Sequence, residues 1–243
     1  PAFYLTSFNP VAVLKGGGVF KKSLSNLFIR NGMVVFQFTV SIALIICTVI
    51  VFQQLLHTKK MDMGLQKANV IIIPNTQKLA AGSEETYRQE IAKLPGVLRA
   101  SISTSIPTSK TFGDGYEPVP DGVKESLVHD LGLSSFMVDE SFVPALQLQL
   151  LKGRNFSKDF NDSLSVILNE TAVKQIGWKD PIGKFMNYPG NNNQHFQVIG
   201  IVKDFNFQSI HNTISPFALF HNSSKTYSTN ESMILVKADP KNI

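Results

Sequence analysis

The stretch Met33–Leu56, MVVFQFTVSIALIICTVIVFQQLL, sits in an interval between Arg30 and Lys59 that contains no Asp, Glu, Lys or Arg. Wound as a helix, about 24 residues rising about 1.5 Å each reach roughly 36 Å, enough to cross a hydrocarbon core of about 30 Å with some tilt. A soluble core helix normally keeps one polar face, whereas apolar residues surround this axis on every side. A cleaved signal peptide is shorter and ends in small residues, and Ile46 before Cys47 is too large for a lipoprotein cleavage site. The stretch therefore reads as a transmembrane helix over residues 31–58. Thr39, Ser41 and Thr48 can bond back to helix carbonyls. Gln37 and Gln53 mark a face suited to packing on another helix, and no chemistry is assigned to Cys47.

Working outward, the charge distribution sets the orientation. The chain has 243 residues, 43% hydrophobic and 17% charged, with one Cys, which excludes a wholly disordered chain and a disulfide scaffold. Its net charge of +5 is not spread evenly. Residues 1–61 carry Lys15, Lys21, Lys22, Arg30, Lys59 and Lys60 and no acid, which leaves seventeen bases against eighteen acids in residues 62–243. The basic excess flanks the apolar segment, so a nucleic-acid surface lacks its electrostatic footprint. The same bias places the N-terminus in the cytoplasm and the large C-terminal part outside. Residues 1–30 read as a cytoplasmic linker ending in an amphipathic interfacial helix, with Phe20, Leu24, Leu27 and Phe28 at helical spacing and the lysines on another face. Gly16-Gly17-Gly18 reads as a hinge, and no Gly-Lys-Ser/Thr follows it to make a phosphate loop. The opening at Pro1 is expected to mark a piece of a longer chain.

Residues 62–243 alternate strand and helix signals. Ala68–Pro74 is expected as a buried strand, followed by a helix capped by Ser83 with Glu84 and Glu85 in its first turn, stopped by Pro95-Gly96. Val97–Ile106 follows as a strand, and the β-α-β pattern predicts two parallel neighbours. Residues 107–125 read as a loop and Ser126–Val138 as extended chain. Asp139 is expected to cap a short helix over Glu140–Leu146, and Gln147–Leu151 leads as a strand to a turn at Gly153 that needs positive φ. Leu164–Leu168 is a strand, Asn169 caps a helix over Glu170–Ile176, and Gly177 ends it. Asp180-Pro181-Ile182-Gly183 is turn chemistry. Gln194–Val202, Phe217–His221 and Ser232–Lys237 complete the strands.

Five motifs then come in order: Asp139–Leu146; Leu151-Lys152-Gly153-Arg154-Asn155-Phe156-Ser157; Val166–Ala172; Ile176–Lys184; and Val198-Ile199-Gly200-Ile201-Val202-Lys203-Asp204-Phe205. Their order and spacing closely resemble the periplasmic domain of MacB/FtsX-type ABC transporter permeases. Pro1–Val11 resembles the cytoplasmic stretch joining the two halves of eight-span members. The resemblance implies an α+β fold: one N-terminal transmembrane helix, then a MacB-like periplasmic domain with a β-α-β porter-like subdomain and a second subdomain inserted into it. The implied boundaries are 59–106 for the first part of the porter-like subdomain, 107–193 for the insert, and 194–243 for the second, truncated part. Asp239-Pro240-Lys241-Asn242 resembles the start of a helix that completes this subdomain in the family.

The resemblance implies a permease subunit in the inner (cytoplasmic) membrane, coupling ATP hydrolysis by a separate ATP-binding subunit to movement of a periplasmic domain for export or envelope remodelling. The implied partners are that ATPase, a second copy or paired permease half, and a periplasmic adaptor or outer-membrane channel. Two alternatives stay open: a membrane-anchored extracytoplasmic sensor or adaptor, and a tethered extracytoplasmic enzyme. Against the last, His57, His129, His195, His211 and His221 show no paired metal spacing, and no Gly-x-Ser-x-Gly elbow occurs. Asp139-Glu140 and Asp159/Asp162 read as caps and turns, and Trp178 as packing at a helix end. No catalytic, cofactor or metal residue is assigned, no cofactor is expected, and the protein is not expected to be an enzyme.

Overall fold

In a computed structural model, the protein is described at residues 24–60, 63–80, 82–107, 109, 111–119, 131–190, 194–209, 212–224, 226–227 and 231–241. Residues 1–61 and 62–243 form two compact units.

Among its described residues the first unit contains a single helix, α1, Leu24–Lys60, unbroken over 37 residues. Its stretch Phe28–Thr58 is long and apolar enough to cross a membrane. Thr39 and Thr48 donate their hydroxyls to Val35 O and Leu44 O, both at 2.8 Å, which hides two polar groups inside the helix envelope. The interfacial helix expected upstream does not stand apart, because residues 24–30 form the first turns of α1 itself. The rest of that expected helix, and the Gly16–Gly18 hinge, lie outside the described residues.

The second unit is built from ten strands among the described residues. Three make a small antiparallel sheet: β1 (Val70–Pro74), β10 (Met233–Ala238) and β2 (Val97–Ser103), in that order. Helix α2 (Ser83–Ala92) connects β1 to β2 and packs on β2 and β10. β1 and β2 are parallel, as the β-α-β pattern requires, but they are not neighbours. β10 lies between them and pairs antiparallel with both, Ile71↔Val236 on one side and Val236↔Ala100 on the other. Ile73, Ile91, Ala100, Ile102, Ile234 and Val236 fill the space under α2. Ser83 does not cap α2. Gly82 holds the cap position at φ 79 with no side-chain bond, and Ser83 Oγ donates back to Ala80 O at 2.6 Å.

The remaining strands close on themselves. β4 (Leu131–Val138), β3 (Phe112–Pro118), β7 (Phe185–Tyr188), β8 (Gln194–Val202), β6 (Ser165–Asn169) and β9 (Phe217–His221) pair in that order, and β9 returns to pair in parallel with β4. The result is a six-stranded barrel, with β5 (Leu150–Gly153) added on β8. Because side chains alternate along each strand, one set faces the lumen. Tyr116, Leu131, Leu133, Val166, Leu168, Met186, Phe196, Val198, Ala218 and Phe220 fill it and are almost fully buried. The outward set includes Phe136, Val138, Ile167, Ile199, Phe217 and Leu219. It packs with Phe142 and Val143 of α3 (Phe142–Ala145), with Phe205 and Phe207, and with Leu235 of β10. This second core joins barrel to sheet.

Two expected boundaries shift as a consequence. The stretch read as a loop contains β3, whose Gly113-Asp114-Gly115 imitates turn composition while pairing with Leu133 and its neighbours. Residues 194–221, grouped above with the porter-like part, hydrogen-bond into the barrel, since β8 and β9 pair with β6, β7 and β4. Among the described residues only β10 returns to the small sheet. Local expectations fare better: Gly153 takes φ 76, α4 spans Glu170–Ile176, and Gly177 ends it at φ 81. Asn169 Oδ1 caps α4 by accepting from Ala172 N at 2.9 Å.

Candidate functional site

Between sheet and barrel the backbone ladder is thin, a single β2–β4 pair at Ser103↔Val138. Two flanking backbone bonds and a set of polar side chains add to it. On α2, Arg88 and Ile91 share the face turned to the sheet, and Arg88 is only 7% exposed. A guanidinium so placed must be paired, because an unpartnered buried charge is prohibitive. Its Nε and Nη2 donate to the Glu85 carboxylate at 2.7 and 2.6 Å, and Nη1 donates to Ala100 O at 3.1 Å. Across the joint, Asp139 Oδ2 lies 3.5 Å from Nε and Glu140 Oε1 4.0 Å from Nη2.

Asp139 follows directly on β4 and anchors the barrel side. Its carboxylate accepts from Ser101 Oγ at 2.5 Å, Ile102 N at 2.9 Å and Ser141 N at 3.0 Å. Its own N–H donates to Ile102 O at 3.1 Å. The last of the three carboxylate bonds is the capping role expected of it, although α3 starts later than expected, at Phe142. The first two tie it to β2. Thr104 repeats the stitch, its N–H donating to Met137 O and its Oγ1 accepting from Met137 N, both at 3.0 Å.

Lys158 reaches in from the loop after β5, 2.9 Å from Glu85 Oε1 and 3.4 Å from Glu140 Oε1. That loop is held by a fork of Arg154 on Asp162 at 2.9 and 2.7 Å, and by Ser157 N and Ser165 Oγ donating to the same carboxylate. Asn155 Nδ2 donates to Glu140 O at 2.7 Å. His221, the last residue of β9, completes the cluster. Its ring packs on Phe156 at 5.2 Å, and its Nε2 is 4.0 Å from Glu140 Oε2.

The electrostatics follow from this geometry. Arg88 holds the Glu85 carboxyl down at about 2, with Gln89 and Lys158 adding to it against burial. His221 first, then Lys158, hold Glu140 at about 2. Asp139 moves the other way: burial pushes it up to about 6, against Ser101, Ile102 and Arg88. Glu85 in turn pushes Arg88 and Lys158 up. The cluster adds charge pairing to the apolar core and the backbone bonds that join sheet and barrel.

Of the residues weighed from sequence, Asp139 and Glu140 are brought together with His221, while Asp162 pairs with Arg154 and Asp159 with Ser157 in the neighbouring loop. His57 and Cys47 lie on α1 and His195 on β8; His129 and His211 lie outside the described residues. Trp178 packs against the barrel core, with Lys184 Nζ 5.5 Å from its ring centre. Among the described residues no three of His, Cys, Asp and Glu form a set fit for a metal. Sequence reasoning missed Arg88, Lys158 and Ser101, and read Glu85 as a first-turn acid alone. The one signal available was Arg88 at the spacing of the buried Ile91.

The family profile of the MacB-like periplasmic core domain matches residues 35–242. No curated protein matches the chain. Among solved structures it is similar to the periplasmic region of MacB from Actinobacillus actinomycetemcomitans, with 18% identity and a TM-score of 0.50 over 74% of this chain and 78% of that one. It is also similar to the extracellular domain of the noncanonic ABC-type transporter YknZ from Gram-positive bacteria, with 15% identity and a TM-score of 0.45 over 70% and 82%. At such identities the likeness concerns the fold. The profile match runs through the whole sheet-and-barrel unit, and the chain belongs to the MacB-like periplasmic core domain family.

Proposed function

We propose that this chain couples ATP hydrolysis on a separate ATP-binding subunit to movement of its outer domain, for export or envelope remodelling. The observation that carries this reading is α1. Its 37 residues run without a break, about 55 Å at about 1.5 Å per residue, against a hydrocarbon core of about 30 Å. A continuous helix of that length passes a displacement from end to end without a binding event along the way. The charged joint supports the same reading, since a sheet and a barrel pinned together can be carried as one body.

In this reading the N-terminus is cytoplasmic, the outer domain periplasmic, and the membrane the inner one. The sheet with α2 serves as the porter-like part and the barrel as the insert. A second copy or paired permease half, and an adaptor or outer-membrane channel, are the further partners. The test is Ile45→Pro in the permease reconstituted with its ATPase. A proline in a helix interior removes a backbone bond and kinks the rod, at a cost of about 3 kcal/mol or more. ATP hydrolysis is expected to continue while the nucleotide-dependent distance change between spin labels on the outer domain disappears. An unchanged distance response, with normal insertion, refutes the rod.

A further inference from the structure

Deep in its apolar stretch α1 carries four hydroxyl or amide side chains, Gln37, Thr39, Ser41 and Thr48. The stretch Phe28–Thr58 centres on Ala43. Gln37 lies six residues from that centre, about 9 Å, well inside a hydrocarbon core that reaches about 15 Å to either side. Thr39 and Thr48 spend their hydroxyls on helix carbonyls. The Gln37 amide has no hydrogen-bond partner among the described residues, and an amide left unpaired in hydrocarbon is costly. Gln53 does not share its face, as the sequence reading expected. At about 100° per residue it points about 160° away from Gln37, and it sits about 15 Å from the centre, where headgroups and water begin. Side chains 28–58 are all exposed, so nothing described covers Gln37.

We propose that α1 pairs in the membrane with α1 of a second copy, side by side and parallel, along the seam Gln37, Ser41, Leu44, Thr48, Val51 and Leu55, with the two Gln37 amides bonded to each other. These six positions recur at alternating spacings of four and three. That is the heptad pattern, which keeps one stripe against a partner helix at a left-handed crossing of about 20°. Three of the four deep polar side chains fall on the seam, and the fourth, Thr39, is already satisfied within its own helix. The opposite face, with Phe38, Ile42 and Val49, is apolar and suits lipid. A glutamine amide both donates and accepts, so in a parallel helix of the same sequence the group that answers it at the same depth is Gln37 itself. Ser41 and Thr48 are small enough to let the two backbones approach, and Thr48, bonded to Leu44 O, brings no unmet demand to the contact. The pairing rests on the reading that α1 crosses a membrane. It does not rest on coupling to an ATPase.

The test is oxidative cross-linking of the full chain in bacterial inner-membrane vesicles, where all copies insert with one orientation. Cys47 is the single cysteine, so Cys47→Ala gives a clean background for one new cysteine at a time. Ser41→Cys, Leu44→Cys and Thr48→Cys on the seam should form covalent dimers, and Phe38→Cys, Ile42→Cys and Val49→Cys on the opposite face should not. Adding Gln37→Leu to Leu44→Cys should weaken association about three- to tenfold at low expression, the scale of one interhelical polar contact. Gln37→Asn, which keeps the amide, should restore most of it. Equal cross-linking on both faces, seam cysteines that stay monomeric or join only a different protein, or a Gln37→Leu yield equal to that of the parent overturns the pairing. A chain that does not insert at all overturns the membrane reading as well, whereas an inserted chain without seam dimers overturns the pairing alone.

Discussion

Replacing Arg88 by methionine is the most direct test of the joint, since it keeps the stem and removes the charge. The native guanidinium makes two bonds to Glu85 and one to Ala100 O and faces Asp139 at 3.5 Å. Glu85, whose side chain is 43% exposed, can turn to water when its partner goes. Asp139, whose side chain is 2% exposed, cannot, and Ala100 O loses its bond as well. Breaking a buried pair from one side typically costs 3–5 kcal/mol, and with Glu85 able to relax the low end applies, about 3 kcal/mol. For a domain of this size about 1 kcal/mol moves Tm by 2–4 °C, so a fall of roughly 6–12 °C is expected. The assay is thermal unfolding of the full chain in detergent at about pH 7, followed by far-UV circular dichroism and by Trp178, the single tryptophan, which reports the barrel. Arg88→Lys should fall between, because it retains the charge without the fork. In a cycle with Asp139→Asn the two changes should couple by about 1 kcal/mol or more, since removing the carboxylate removes what the guanidinium was neutralising. A Tm loss below about 3 °C, or strict additivity with Asp139→Asn, would refute the view that these charges carry the joint.

Three further variants test the barrel and the acid side of the joint. Gly153→Ala should destabilise by roughly 3 kcal/mol or more, because a Cβ there would sit 2.1 Å from Ile199 O at φ +76; the figure adds left-handed strain to a backbone clash. Gly132→Ala, whose Cβ meets nothing within 4 Å, should be neutral or gain up to about 1 kcal/mol, and equal losses at both sites in thermal unfolding would contradict the geometry. On the acid side, Glu85 and Glu140 are depressed from 4.5 to about 2. Their share of stability is present above about pH 4.5 and lost as pH falls toward 2, the sign for carboxyls that bind protons more weakly when folded. Acid unfolding of Glu85→Gln should therefore be shallower than that of the native chain, and identical curves would remove Glu85 from the account.

What could be read from the sequence divides by the distance over which the physics acts. α1 was legible because a membrane span needs only the absence of charge along one segment. α4 was legible to the residue, since Asn169 and Gly177 are start and stop signals that act within one turn. β8 and β9 matched as well, Gln194–Val202 and Phe217–His221. β3 and β7 were not. The first hides behind Gly113 and Gly115, and the second is four residues between turns. Nor could local patterning show that β10 enters between β1 and β2, or that β9 closes the barrel on β4 in parallel. Those pairings join segments far apart in the chain, and a strand carries no mark of its partner beyond the need to bury one face or both.

The joint lies at the far end of the same scale. Asp139 was readable as the residue that ends an apolar strand and begins a turn, and Ser141 N does bond to it. Yet the same carboxylate takes Ser101 Oγ and Ile102 N from a strand thirty-seven and thirty-eight positions earlier. A cap and an interdomain anchor look alike in sequence, because both call for a short acid just past a strand. What separates them is burial, which depends on the barrel and the sheet already being in place. Arg88 shows the converse. On the buried face of α2, a guanidinium cannot persist without an acid against it, and the structure supplies Glu85 from its own helix and Asp139 from across the joint. A charged residue at the spacing of an apolar stripe is therefore a stronger pointer to a domain junction than any of the five shared motifs, which describe the scaffold on each side of it.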